Sequence, residues 1–148
     1  PRNMSSPLYN REILRLAAPV PARRRLASPD ATSERRSPTC GSRVRVEVIV
    51  DAQGRIADLA MEVSACALGQ ASAALLCAHA QGRSAGELAS AAEALRYWLS
   101  RQDGTEEPSF WPGIDALSVA RAYPARHASI LLAFEAAAEA AALSERTV

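Results

Sequence analysis

Three side chains of this sequence have the chemistry to bind a soft metal or to attack sulfur: Cys40, Cys66 and His127. Cys40 stands in Pro38-Thr39-Cys40-Gly41-Ser42-Arg43, a turn that opens directly into an alternating strand. Cys66 comes immediately after the partner strand and immediately before a helix. Its thiol therefore sits near free backbone N–H groups and the positive end of a helix dipole, a setting in which cysteines ligate metals or act on sulfur. A hairpin whose strands match in length brings its outer ends together, so Cys40 and Cys66 should be close neighbours. Each also fits the description of a small buried residue, as free cysteines often are. His127 lies in Pro124-Ala125-Arg126-His127-Ala128-Ser129, where the last helix should begin. An imidazole there suits metal ligation, and it equally suits helix capping or a surface position.

Cys77 and His79 read differently. Cys77 lies 11 residues beyond Cys66, on the same helical face but about 16 Å along the axis. It cannot share one ion with Cys66, and core packing is expected for both Cys77 and His79. The runs Arg23-Arg24-Arg25 and Arg35-Arg36 read as solvated faces, or at most a docking patch for an acidic partner. No phosphate-cradling glycine loop, paired-histidine zinc helix or nucleophile elbow is present. There is no CxxC pair, which argues against a zinc ribbon.

The elements that must position these groups follow from period and punctuation. Ser6-Pro7 reads as a helix start, with Tyr9, Ile13, Leu16 and Ala17 on one face and Pro19 and Pro21 as the stop. Residues 19–33 form an extended Pro-, Arg- and Ser-rich connection, and residues 33–37 a short polar strand. Val44, Val46, Val48 and Val50 then alternate with Arg43, Arg45, Glu47 and Ile49, the mark of a half-buried strand. Asp51-Ala52-Gln53-Gly54 supplies a turn, and Ala57, Leu59, Met61 and Val63 alternate back. A helix over 67–81 ends at Gly82. The next opens on a capping box, Ser84 with Glu87, and carries the stripe Leu88, Ala91, Ala92, Leu95, Trp98 and Leu99. Residues 102–112 form an acidic loop, a docking surface or a linker packed by Phe110 and Trp111. An Ala-rich helix over 128–143 presents Ile130, Phe134, Ala137 and Ala141. The fold class is α+β: a small antiparallel sheet, hairpin 43–63 plus a polar edge strand, packed against several helices.

Bulk properties limit the partners. The chain of 148 residues should be a single domain, with Met4 the natural start and residues 1–6 outside the ordered fold. All 17 basic residues are Arg and formal net charge is +1, so neither nucleic acid nor a membrane surface is the expected partner. Three widely spaced cysteines do not make a disulfide framework and fit a reducing cytoplasm. No apolar run approaches the ~18 residues that span a bilayer.

In order and spacing, these residues resemble the iron–sulfur cluster scaffold proteins of the IscU, SufU and NifU N-terminal type. The resemblance runs over residues 8–143. Its pieces are Leu8-Tyr9-Asn10, Pro38-Thr39-Cys40-Gly41, the hairpin with Asp51-Ala52-Gln53-Gly54-Arg55-Ile56, and Ala65-Cys66-Ala67 followed by Ala71-Ser72-Ala73. Gln81-Gly82-Arg83-Ser84 and His127-Ala128-Ser129-Ile130-Leu131 complete it. The segment between Leu99 and Arg121 looks more like the SufU branch, the His-x-Ser-Ile-Leu string more like the IscU branch.

The resemblance implies a protein without turnover chemistry of its own. It would hold zinc, iron or a nascent [2Fe–2S] cluster and serve a cysteine desulfurase and apo iron–sulfur proteins. It assigns the ligands to Cys40, Cys66 and His127. Two positions depart from the family pattern. Ser42 stands where an Asp is usual, and Ala128 stands where a third cysteine is usual. A [2Fe–2S] unit wants four thiolate or imidazole ligands. This set is one short unless Ser42, a partner, a second copy in a homodimer or a small thiol completes it. Two other readings stay open. One is a sulfur-transfer accessory protein with a persulfide on Cys66 or Cys40. The other is a degenerate paralogue serving as an interaction module.

Overall fold

The computed structural model describes residues 10–17, 25–38, 41–101 and 108–146. Its elements run α1 (Arg11–Ala17), β1 (Ala31–Arg36), β2 (Arg43–Val50), β3 (Ile56–Ser64), α2 (Ala67–His79), α3 (Ala85–Ser100), two 3-10 segments (Ile114–Ala122 and Pro124–Arg126) and α4 (His127–Arg146). The three strands form one antiparallel sheet in the order β1-β2-β3. The α+β expectation holds. Ser6-Pro7, Cys40 and residues 102–107 lie outside the described residues. The described part of α1 takes its cap from Asn10, whose Oδ1 accepts from the Ile13 N–H at 2.9 Å.

The alternating valines fold as their period dictates. Val44, Val46 and Val48 are buried on the inner face and pair across β3 with Val63, Met61 and Leu59. Asp51 organises the turn, its Oδ1 accepting from the N–H groups of Gln53 and Arg55 at 2.9 and 3.0 Å. Gly54 there has φ +79°, a left-handed conformation that glycine adopts without strain. The register slips between Ile49 and Val50, which turns Ala57 outward. β1 begins two residues earlier than its composition suggests. Its inner face is polar yet satisfied: buried Ser33 donates to Glu139 of α4 at 2.7 Å.

Alternation predicts an exposed Glu47, and here the structure differs. Glu47 is only 3 % exposed, because the segment after residue 24 crosses this face of the sheet. Its Oε1 accepts from the Leu26 N–H at 2.8 Å, and Arg45 and Arg25 reach its other oxygen at 2.6 and 3.1 Å. Burial alone would push this carboxyl up. The Leu26 N–H and the two guanidiniums together outweigh burial and hold it below the ordinary value. A carboxyl depressed in the native state stabilises it above the unfolded value of about 4.3. That stability is lost as pH falls through the lower native value. An acid titration followed by circular dichroism should show Glu47→Gln flattening the stability loss below about pH 4.5 relative to the parent chain.

α4 is the centre of the molecule, packing on β1, β2, α2 and α3. The predicted stripe of α3 is buried throughout, and the capping box is present in both directions. The Ser84 N–H, ahead of the nearby Arg55, holds the Glu87 carboxyl below its ordinary value. His79 contradicts its expected place in the core: it is exposed, with its ring edge-on to Trp111 at 6.4 Å. Cys77 is half-buried against the core, as expected. The stretch from Ile114 to Arg126, invisible to a period-based reading, is two 3-10 segments that bring the chain to the start of α4.

Candidate functional site

The hairpin ends where its pairing ends. Arg43 pairs with Ser64, the last residue of β3, so the segments just before β2 and just after β3 leave the sheet at one edge. There an open pocket of about 260 Å³ is lined by Gly41, Ser42, Ser64, Ala65, Cys66, Arg126 and Ser129. Cys40 lies outside the described residues, and its neighbour Gly41 lines this pocket. The Ser37 N–H donates to the Ser42 carbonyl at 2.9 Å, a contact between described residues on either side of positions 39 and 40.

Cys66 is the N-cap residue of α2 but makes no side-chain capping bond. Its half-buried Sγ faces Ser129 Oγ at 3.6 Å, and Ser129 Oγ lies 3.2 Å from Ser42 Oγ. Both serines are buried. Ser42 is thus tied to α4 through its hydroxyl. Neither serine was singled out as a contact of Cys66 from sequence. Residues 87 apart in the chain meet only through tertiary packing.

Gly69 is what lets α2 approach this closely. A Cβ at position 69 would stand 2.5 Å from Ser129 Oγ and 2.7 Å from the Ala65 Cβ. Glycine inside a helix costs about 1 kcal/mol relative to alanine, so a glycine three residues into α2 was a readable signal of close contact. Gly69→Ala should lower stability by about 1–3 kcal/mol, the usual cost of overpacking. The same change should displace Ser129 from Cys66. Denaturant melts and the amide resonances of residues 64–66 would check both parts.

His127 opens α4 one residue after Arg126 and is half-buried. Its Nε2 pairs with the Ala120 carbonyl at 3.0 Å. A carbonyl only accepts, so this contact needs the proton on Nε2, and in that tautomer the lone pair lies on Nδ1. Metal-bound histidines are commonly oriented in this way by a carbonyl behind the ring. The pocket lining takes in the residues on either side, Arg126 and Ser129, but not His127. Cys77 opens on a different pocket beside Ile56, Ala57, Asp58 and Leu59, well away from Cys66. Among the described residues, no group of three or more His, Cys, Asp or Glu side chains converges as a metal site.

Residues 9–97 match the family model of the NifU-like N terminal domain. Among solved structures the chain is similar to a nitrogen-fixing NifU-like protein (N-terminal) from Brucella abortus. Identity there is 35 % and the TM-score 0.84, over 96 % of this chain and 97 % of that one. It is also similar in fold to a protein from Fervidobacterium islandicum AW-1 assigned as an iron–sulfur cluster assembly scaffold for the SUF system. That match has 19 % identity and a TM-score of 0.78, over 90 % of this chain and 96 % of that one. No curated protein matches the chain. The match over residues 9–97 and the 35 % identity across nearly the whole chain show that this chain belongs to the NifU-like N-terminal domain family.

Proposed function

We propose that this chain is a scaffold-type protein of iron–sulfur cluster assembly, a single domain over residues 1–148 without turnover chemistry of its own. Iron or a labile [2Fe–2S] cluster is its cargo, held by Cys40, Cys66 and His127, with zinc as an alternative occupant. A cysteine desulfurase would supply sulfur and apo iron–sulfur proteins would receive the product, in a reducing compartment such as the cytoplasm. Family membership supports the role. One observation carries the site: Gly41, next to Cys40, and Cys66 line the same opening at the end of the hairpin.

The donor set suits cargo better than a resident ion. Among the described residues Cys66 brings the one soft donor to the pocket, and two of its three serine hydroxyls, those of Ser42 and Ser129, are already bonded to each other. Adding Cys40 and His127 Nδ1 makes three donors, one fewer than a closed tetrahedral site. A partner, a second copy or a small thiol must supply the fourth. A ligand borrowed in this way is easily given up, which a transfer protein requires.

His127→Ala tests the assignment. Cobalt(II) binding under anaerobic conditions, read by its thiolate absorption bands, should weaken at least about tenfold, the scale on which even outer-shell changes act. Unchanged cobalt affinity would remove His127 from the site.

A second reading, sulfur transfer with a persulfide on Cys66, is favoured by Cys66 being the one soft donor in the pocket among the described residues. It requires no metal. Mass spectrometry after incubation with desulfurase and cysteine would show a sulfur adduct on Cys66 in chelator-treated protein.

A further inference from the structure

The pocket at Cys66 is built to attract negative charge. Two helices begin at it: α2, with Cys66 as its N-cap, and α4, whose start is flanked by Arg126 and Ser129. A helix N-terminus carries a partial positive charge; at α4 the His127 N–H is already donated to the Pro124 carbonyl, so the free N–H groups are those of α2. At α2 no side chain caps those groups. Arg126 adds a full charge. It is half-buried, lines the pocket, and has no carboxylate partner among the described residues. Elsewhere on the molecule Arg25, Arg35, Arg36, Arg43, Arg45, Arg55 and Arg96 are all paired with glutamates. Arg83 and Arg121 direct their guanidiniums at backbone carbonyls and aromatic faces, whereas Arg126 lines the pocket that holds the Cys66 thiol.

We propose that Arg126 makes this pocket selective for small anionic sulfur compounds, so that Cys66 exchanges preferentially with thiols and disulfides bearing a carboxylate. The ligand class is an acid with its sulfur one or two carbons from the charge, small enough for about 260 Å³. In the exchange, the Cys66 sulfur attacks one sulfur of the incoming disulfide and loses its proton to solvent. A new S–S bond forms at Cys66 as the old one breaks. The released thiolate leaves with the electron pair, and the incoming disulfide is the oxidant. Arg126 touches neither sulfur. It holds the carboxylate, and its guanidinium fork matches that geometry. The selectivity does not depend on metal, so it stands or falls separately from the cluster reading.

The test uses three disulfides of similar size: dithiodiglycolate (dianionic), hydroxyethyl disulfide (neutral) and cystamine (dicationic). The protein is the full chain carrying Cys40→Ser and Cys77→Ser, so that Cys66 is its one thiol and no neighbouring cysteine can resolve the mixed disulfide. Mass spectrometry follows mixed-disulfide formation on Cys66 over time. The ratio of dianion to dication rates should fall about tenfold in Arg126→Gln, the low end of electrostatic steering at a charged cleft. It should fall in the parent as salt is raised, since Debye screening shortens to about 3 Å at 1 M. Arg126→Lys should keep most of the preference. A ratio unchanged between the parent and Arg126→Gln overturns the proposal. So does a ratio that Arg126→Lys loses as fully as Arg126→Gln, because that would mark a structural role in place of charge recognition.

Discussion

Trp111→Ala should destabilise the chain by about 3–5 kcal/mol, the cost of truncating a large buried aromatic. Trp111 is 1 % exposed and sits at the junction of three elements. Its Nε1–H donates to the Leu75 carbonyl of α2 at 2.8 Å. Its ring meets Phe134 of α4 edge-on at 5.0 Å, and Arg83 lies over its face at 4.3 Å. Removing it opens a cavity between α2 and α4, the two helices whose N-termini frame the Cys66 pocket. Trp111→Phe keeps most of the packing but loses the hydrogen bond, and should cost only about 1–2 kcal/mol. Guanidinium unfolding midpoints for the two variants separate these contributions. A loss below about 1 kcal/mol for Trp111→Ala, typical of a surface change, would show that the segment is a loose linker.

Cys66→Ser should have the largest effect on binding. Sulfur at position 66 is the soft donor that opens into the pocket, and a serine hydroxyl is a poor replacement for it. Cobalt(II) affinity should fall by more than about 100-fold, beyond the usual range for outer-shell changes. Cys77→Ser is the matched control, since Cys77 lines a separate pocket further along the same helix. Equal losses in the two variants would mean that the metal binds without regard to the hairpin edge.

Much of the frame was legible in the sequence, because short-range periods encode it. The period of two in 43–50 and 59–63 set the hairpin, and the Ser84–Glu87 box set the start of α3. Placing Cys66 between strand and helix needed only those elements. What escaped depends on contacts between distant segments. The burial of Glu47 needs the crossing at Leu26, and the Ser42–Ser129–Cys66 chain needs α4 to pack beside β2. The 3-10 path from Ile114 to Arg126 has no apolar period of its own and is shaped by what it packs against. His79 failed for a related reason. Its helical position is near the core, but α2 ends there and leaves the ring outside.

The family frame and the pocket together make one central claim, that this edge of the hairpin holds iron and sulfide. The most direct measurement is anaerobic reconstitution of the full chain with iron and sulfide, quantifying bound iron, sulfide and visible absorption per chain, with Cys66→Ser alongside. Iron and sulfide retained by the parent through desalting, and lost from Cys66→Ser, is the predicted result. Neither bound by the parent, or both bound equally by Cys66→Ser, would contradict the claim and leave a sulfur carrier on a scaffold fold.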